Sequence, residues 1–292
     1  MGVLHKINAS LKSLFPEKMY KNIRWRLLAL YRMKLHVFTE EEIRKIFIEQ
    51  LGVKPGADVF VHSSVNQIKL NFHYYQLIRI LKEIVGPEGT IILPCWQDIP
   101  DFEKYVAEKK VFDVKRTPTI LGILPDLVRR EKDAYRSLSP YNSVVAIGKR
   151  AKEYADCVQT DDMPWGTHSP LYKLKEAGGT IIGIGVTTRY LTFVHCAEDN
   201  FPGKFPVQTR SEKAYPFLVR NAAGDVQEIM SRIPHSNLKY RDVPRFVKEH
   251  ISPAIACDKT IKRTKFFTAK AKELYTEIQE LAKKGITIYY MK

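Results

Sequence analysis

Thr192, His195 and Glu198 recur at intervals of three within residues 191–199. If that segment is helical, the three side chains share one face, because residues three apart are neighbours on a helix. A hydroxyl, an imidazole and a carboxylate would then meet. An imidazole is the side chain best suited to carry a proton near neutrality. His195 is therefore the candidate base, and Glu198 would fix its tautomer and stabilise the imidazolium. The same spacing also fits a half-buried helix whose His and Glu simply pair. The preceding residues 180–186 read as a buried strand, β-branched and apolar and interrupted by Gly183 and Gly185. Open α/β folds place their sites just past such strand ends.

A second strand end, Val61-His62-Ser63-Ser64, offers two hydroxyls and their N–H groups. Such a junction can form a nest that holds an anion or a polarised carbonyl, although Ser-Ser after a strand is common. In the run 166–174, Ser169 reads as an N-cap ahead of Pro170. A helix start there would hold phosphate or would be ordinary helix initiation. Ser143 closes a polar loop, residues 136–143, that runs into another strand. The glycine-rich phosphate loop and the dinucleotide fingerprint are absent from the sequence. So is the Gly-x-Ser-x-Gly elbow. His195-x-x-Glu198 lacks the second histidine of a zinc-protease helix, so no metal is expected.

The elements that must position these groups follow from periodicity and punctuation. Thr39 and Glu42 form a capping box for a helix reaching about Leu51. Strand 59–62, helix 74–85 and strand 90–93 make a βαβ unit with parallel pairing. Residues 97–118 look polar and irregular, and 119–130 helical. A strand is expected at 143–147, with helices at 149–154 and 170–176. Antiparallel strands span 205–233, with a hairpin tip at 221–225. Helices at 243–252 and 265–284 and a last strand at 286–290 complete the chain. The expected class is α/β: a mixed, mostly parallel sheet flanked by helices with an antiparallel C-terminal portion. Residues 37–292 would form one domain behind a basic amphipathic leader, 1–36.

The chain of 292 residues carries a formal charge of +15. That balance attracts polyanions such as anionic lipid or phosphate-rich small molecules. No nucleic-acid-binding signature is present, so nucleic acid is not an expected partner. The leader would lie on an anionic membrane surface, or pack on its own domain or on a second copy in a homodimer. No apolar run reaches the roughly 18–20 residues of a membrane span. No signal-peptide core is seen, and the four cysteines include no Cys-x-x-Cys pair. A cytoplasmic protein is expected, peripheral to the membrane if the leader binds lipid.

Taken in order, these pieces resemble one family. They are His62-Ser63-Ser64, Gly89-Thr90-Ile91-Ile92-Leu93-Pro94, Arg136-Ser137 with Pro140 and Ser143, Gly166 with residues 169–174, then Thr192, His195 and Glu198. The set is similar to the aminoglycoside 3-N-acetyltransferase family over about residues 40–290. The resemblance implies a non-GNAT mixed α/β fold and an acetyl-CoA-dependent N-acetyltransferase. It makes His195 the base and Glu198 its partner, with Thr192 close by and Ser64 near the thioester. It puts His62, Ser63, Ser64, Ser143 and Ser169 towards the CoA arm. Where the family carries His-Pro, this chain has Ser139-Pro140. Asp162, with Asp161, and Asp199 are candidate acidic contacts for a basic substrate. The positive charge favours a nucleotide-linked amino sugar of surface-polysaccharide biosynthesis. An aminoglycoside, with antibiotic resistance, is the alternative. A non-catalytic polyanion-binding protein is the reading from another class.

Overall fold

The computed structural model describes residues 33–157 and 162–291, together with Pro16, Met19, Ile23 and Arg26. The rest of the predicted leader, and Asp161, lie outside the described residues. A short strand β1 (Val37–Phe38) leads into α1 (Glu40–Lys45). The Glu42 N–H donates to Thr39 Oγ1 at 3.2 Å and the Thr39 N–H to Glu42 Oε2 at 2.9 Å, the reciprocal box expected. The helix widens into a π turn at Ile46–Gln50. Strand β2 (Asp58–Ser63), β3 (Lys69–Leu70), α2 (Gln76–Val85) and β4 (Thr90–Pro94) follow. β2 and β4 pair in parallel, from Asp58 opposite Thr90, so the βαβ unit forms.

The segment expected to be irregular holds α3 (Phe102–Ala107) and β5 (Val111–Asp113). β5 is too short to show a period, and Phe112 at its centre is fully buried. Then come α4 (Ile123–Val128), β6 (Tyr135–Arg136), β7 (Val144–Gly148), α5 (Ala151–Ala155) and α6 (Pro170–Glu176). Next are β8 (Thr180–Ile184) and α7 (Val194–Asp199). The hairpin β9 (Arg210–Arg220) and β10 (Val226–Pro234) turns at 221–225, where Asn221 Oδ1 accepts three backbone N–H groups. The chain continues with α8 (Val243–His250), β11 (Ala256–Ile261), β12 (Thr264–Lys270) and α9 (Ala271–Lys283).

Two expectations are corrected here. The helix read over 265–284 begins only at Ala271, because residues 264–269 pair with β11 and 266–270 with β8. Phe266 and Phe267 then fall on opposite faces of the sheet, as side chains in a strand must. Residues 286–290 form a single bridge, Tyr289 opposite Arg241, rather than a strand.

The main sheet runs β11-β12-β8-β2-β4-β7-β6. The fold is mixed α/β, and within this main sheet parallel pairing is confined to the central β8-β2-β4. Both faces are covered, which is why its central strands read as unbroken apolar runs. Val59, Val61, Ile91 and Ile182 pack under α1, α2 and α4. Phe60, Ile92, Ile181 and Phe267 pack under α6, α7, α8 and α9. β10-β9-β5 forms a separate three-stranded sheet. Among the described residues no helix is long and apolar enough to cross a membrane.

β4 leaves β2 on one side and β8 lies on the other, so the carboxyl end of β2 is a topological switch point. Ser64 and Gly185 leave the sheet together there, joined by the Ser64 N–H donating to Ile184 O at 2.8 Å. Gly185 has φ +71°, and a Cβ on it would fall 2.5 Å from Ser64 O. Gly185→Ala should therefore destabilise the protein by roughly 1–3 kcal/mol. Gly203→Ala, at φ +83° in open space, should cost less. Urea midpoints of the two variants would show the difference.

Candidate functional site

α7 is only six residues long, so what holds its ends matters. The turn before it is pinned by Thr188, whose N–H and hydroxyl donate to Asp258 on β11 at 2.7 and 2.9 Å. Burial raises that carboxyl's pKa while the Thr188 bonds oppose the rise. At the C-terminus the orphan carbonyls of a helix need donors. Asn200 Nδ2 donates to Cys196 O at 2.7 Å and to Trp165 O at 2.6 Å. Gln279 on α9 donates to Asn200 O at 2.9 Å and to Ala197 O at 3.3 Å.

On this helix His195 and Glu198 pair as the spacing requires, Nδ1 to Oε2 at 2.7 Å. The Glu198 side chain is 1% exposed and that of His195 12%. The bond to Nδ1 fixes the tautomer in which Nε2 carries the free lone pair. Nε2 bonds to no other described residue. Glu198 Oε2 also accepts from the Tyr289 hydroxyl at 3.1 Å. Thr192 lies before the helix, and its carbonyl accepts the His195 N–H at 3.1 Å. Its hydroxyl is buried with no partner among the described residues and does not bond to either member of the pair.

At the β2 end, Ser63 and Ser64 are half-buried, and neither hydroxyl bonds to another described residue. The Ser64 N–H is occupied by Ile184 O, so the hydroxyl is the free donor there. His62 is placed differently from expectation. Its ring is buried edge-on to Phe60, with centroids 4.9 Å apart, and tilted against Phe267. Burial pushes its pKa down to about 3, so it is a neutral core group and not a cationic contact for phosphate. Ser143 is also corrected: it is fully buried, and its hydroxyl donates to Cys95 O at 2.8 Å. Its role here is to tie two strand ends together.

Ser169 caps α6, accepting the Tyr172 N–H at 3.2 Å. It also lines a shallow cleft with Ser137, Ser139, Asn142, Met163 and His168. Ser139 bonds to Asn142, whose amide donates to Pro164 O. Behind the cleft Arg136 is buried against the Phe112 ring, donating to the carbonyls of Cys95 and Thr117. Burial lowers its pKa to about 10.

The acidic candidates separate. Asp162 is one-third exposed and lies 2.9 Å from Arg232. Asp199 exposes none of its side chain. It accepts from Arg210 Nε and Nη2 at 2.8 and 3.0 Å and from the Trp165 N–H at 3.0 Å. A carboxylate closed in this way braces α7 against β9 and the 163–170 loop. Spacing gave no sign of Tyr289, Arg210 or Gln279, since each reaches α7 from another element, 91, 11 and 82 positions away.

A family model described as aminoglycoside 3-N-acetyltransferase matches residues 60–283. Aminoglycoside N(3)-acetyltransferase VIII of Streptomyces fradiae is 32% identical over 173 residues, 54% of this chain and 60% of that protein. Aminoglycoside N(3)-acetyltransferase VII of Streptomyces paromomycinus is 33% identical over 174 residues, 53% of this chain and 59% of its own. The matched stretches thus span about 60% of these relatives' length. Among solved structures, aminoglycoside acetyltransferase AAC(3)-Xa superposes with a TM-score of 0.72 at 23% identity, over 87% of this chain and 97% of that one. AAC-IIIb, solved as a binary complex with CoASH, gives 0.70 at 21%, over 88% and 100%. At these identities the likeness is one of fold.

Proposed function

This chain belongs to the aminoglycoside 3-N-acetyltransferase family, and we propose that it transfers the acetyl group of acetyl-CoA to an amine of an aminoglycoside. The observation that carries this reading is the His195–Glu198 pair, with a free Nε2, in a chain whose β2 ends at a topological switch point. An ammonium must lose a proton before it can attack. His195 Nε2 takes that proton, directly or through water, while Glu198 holds Nδ1–H and stabilises the imidazolium. The amine then forms a bond to the thioester carbonyl carbon. The C–S bond breaks, and the thiolate leaves and takes up a proton. The Ser64 hydroxyl is the free donor suited to the transient oxyanion. His168 is exposed on the cleft that Ser169 lines, and its ring offers a hydrogen-bonding group to the amide-rich arm of acetyl-CoA. AAC-IIIb, which shares this fold, was solved as a binary complex with CoASH.

The nucleotide-linked amino sugar expected from the +15 charge has no counterpart among the relatives, which are named for aminoglycosides. Net charge governs long-range attraction and does not describe the groups that line a site. The test is thiol release from acetyl-CoA by the purified chain, with gentamicin in one arm and a UDP-linked amino sugar in the other. Release with gentamicin, matched one-to-one by an acetylated product in mass spectrometry, is the expected result. Release with the UDP-linked sugar alone would overturn it. Tight but steeply salt-dependent binding of polyanions without any release would point instead to a binding protein.

A further inference from the structure

Glu198 Oε2 receives two donors, His195 Nδ1 at 2.7 Å and the Tyr289 hydroxyl at 3.1 Å. Among the described residues Glu198 Oε1 is buried with no partner, so the charge of the carboxylate is divided between those two. Tyr289 is 7% exposed and sits in the segment after α9. That segment is fixed by main-chain bonds on both sides: the Asp242 N–H donates to Ile288 O at 2.8 Å and the Tyr290 N–H to Tyr240 O at 3.0 Å. The stretch matched by the family model ends at residue 283, so Tyr289 lies beyond it.

We propose that Tyr289 is a positioning residue that tunes the His195–Glu198 pair: by donating to the oxygen that grips the imidazole, it limits how strongly Glu198 holds the proton on His195. A donor to a carboxylate favours its charged form and lowers its basicity. Removing that donor leaves Oε2 to His195 alone, and the imidazolium is then held more tightly. Burial beside Glu198 keeps the phenol protonated, with its pKa well above the usual value. Arg210 from β9 closes Asp199 on the same helix and also faces Glu198, where it offsets part of the rise in the phenol's pKa. Arg241, opposite Tyr289 in the bridge, offsets part of the rise in the phenol's pKa.

This inference rests on the reading of His195 as the base, and the test separates the two. The pH–rate profile of Tyr289→Phe would be compared with that of the full-length parent, alongside an NMR titration of the His195 imidazole in both. The variant's acid limb and its imidazole titration should both move to higher pH, by roughly 0.5–1 unit, within the range that hydrogen bonds to a carboxylate produce. Turnover at pH 6 should therefore fall about three- to tenfold more than at pH 8.5. Site-specific 3,5-difluorotyrosine at position 289 keeps the ring and strengthens the donor, so both curves should move to lower pH. A loss that is uniform across pH, with an unmoved titration, would make Tyr289 a packing residue and overturn the proposal. A moved titration in a protein that releases no thiol would uphold the coupling and remove the transferase reading.

Discussion

Replacing His195 by alanine should lower kcat by about 10²–10⁴-fold, the usual contribution of a positioned general base. Among the described residues Glu198, the nearest other proton acceptor, is buried and already engaged by Tyr289, so it cannot take over the role. The loss should shrink as pH rises, because a growing fraction of the substrate amine is then already deprotonated. Binding of acetyl-CoA, followed by calorimetry, should survive, since the base acts on the amine. The competing view is a helix in which His195 and Glu198 only pair. It predicts a drop in the urea midpoint with turnover kept near that of the parent. A variant that turns over within tenfold of the parent at neutral pH would sink the mechanism.

What was legible in the sequence was local. The interval of three between His195 and Glu198, the capping box at Thr39 and Glu42, and the cap at Ser169 each lie within one helical turn. The βαβ unit was legible because its two strands are buried on both faces and its connecting helix has a clear period. β12 was missed because residues 265–284 carry charged and apolar residues at helical intervals throughout. Only pairing with β11 and β8 decides that the chain is extended up to Lys270. Ser143 and Asp199 were misplaced for a different reason. Residue type shows that a hydroxyl or a carboxylate is present, but not whether Cys95 O or Arg210 already engages it. Tyr289 stands 91 positions from Glu198, and spacing rules reach only a few residues.

Arg210→Met should be the most damaging single change to stability. Arg210 and Asp199 expose 6% and 0% of their side chains. Removing the guanidinium strands a buried carboxylate next to Glu198, a loss of about 3–5 kcal/mol. The double variant Arg210→Met with Asp199→Asn should recover most of it. The stranded charge is gone, and the amide oxygen can still accept the Trp165 N–H that anchors the 163–170 loop. Urea unfolding of the parent, the single and the double variant measures both steps. A single variant within 1 kcal/mol of the parent, or a double no better than the single, would contradict the picture of a buried brace. Turnover in the same series decides what Asp199 is for. If it only braces α7, activity lost in the single variant returns in the double along with stability. If it held a cationic substrate, the double would fold and still show a raised KM for the amine.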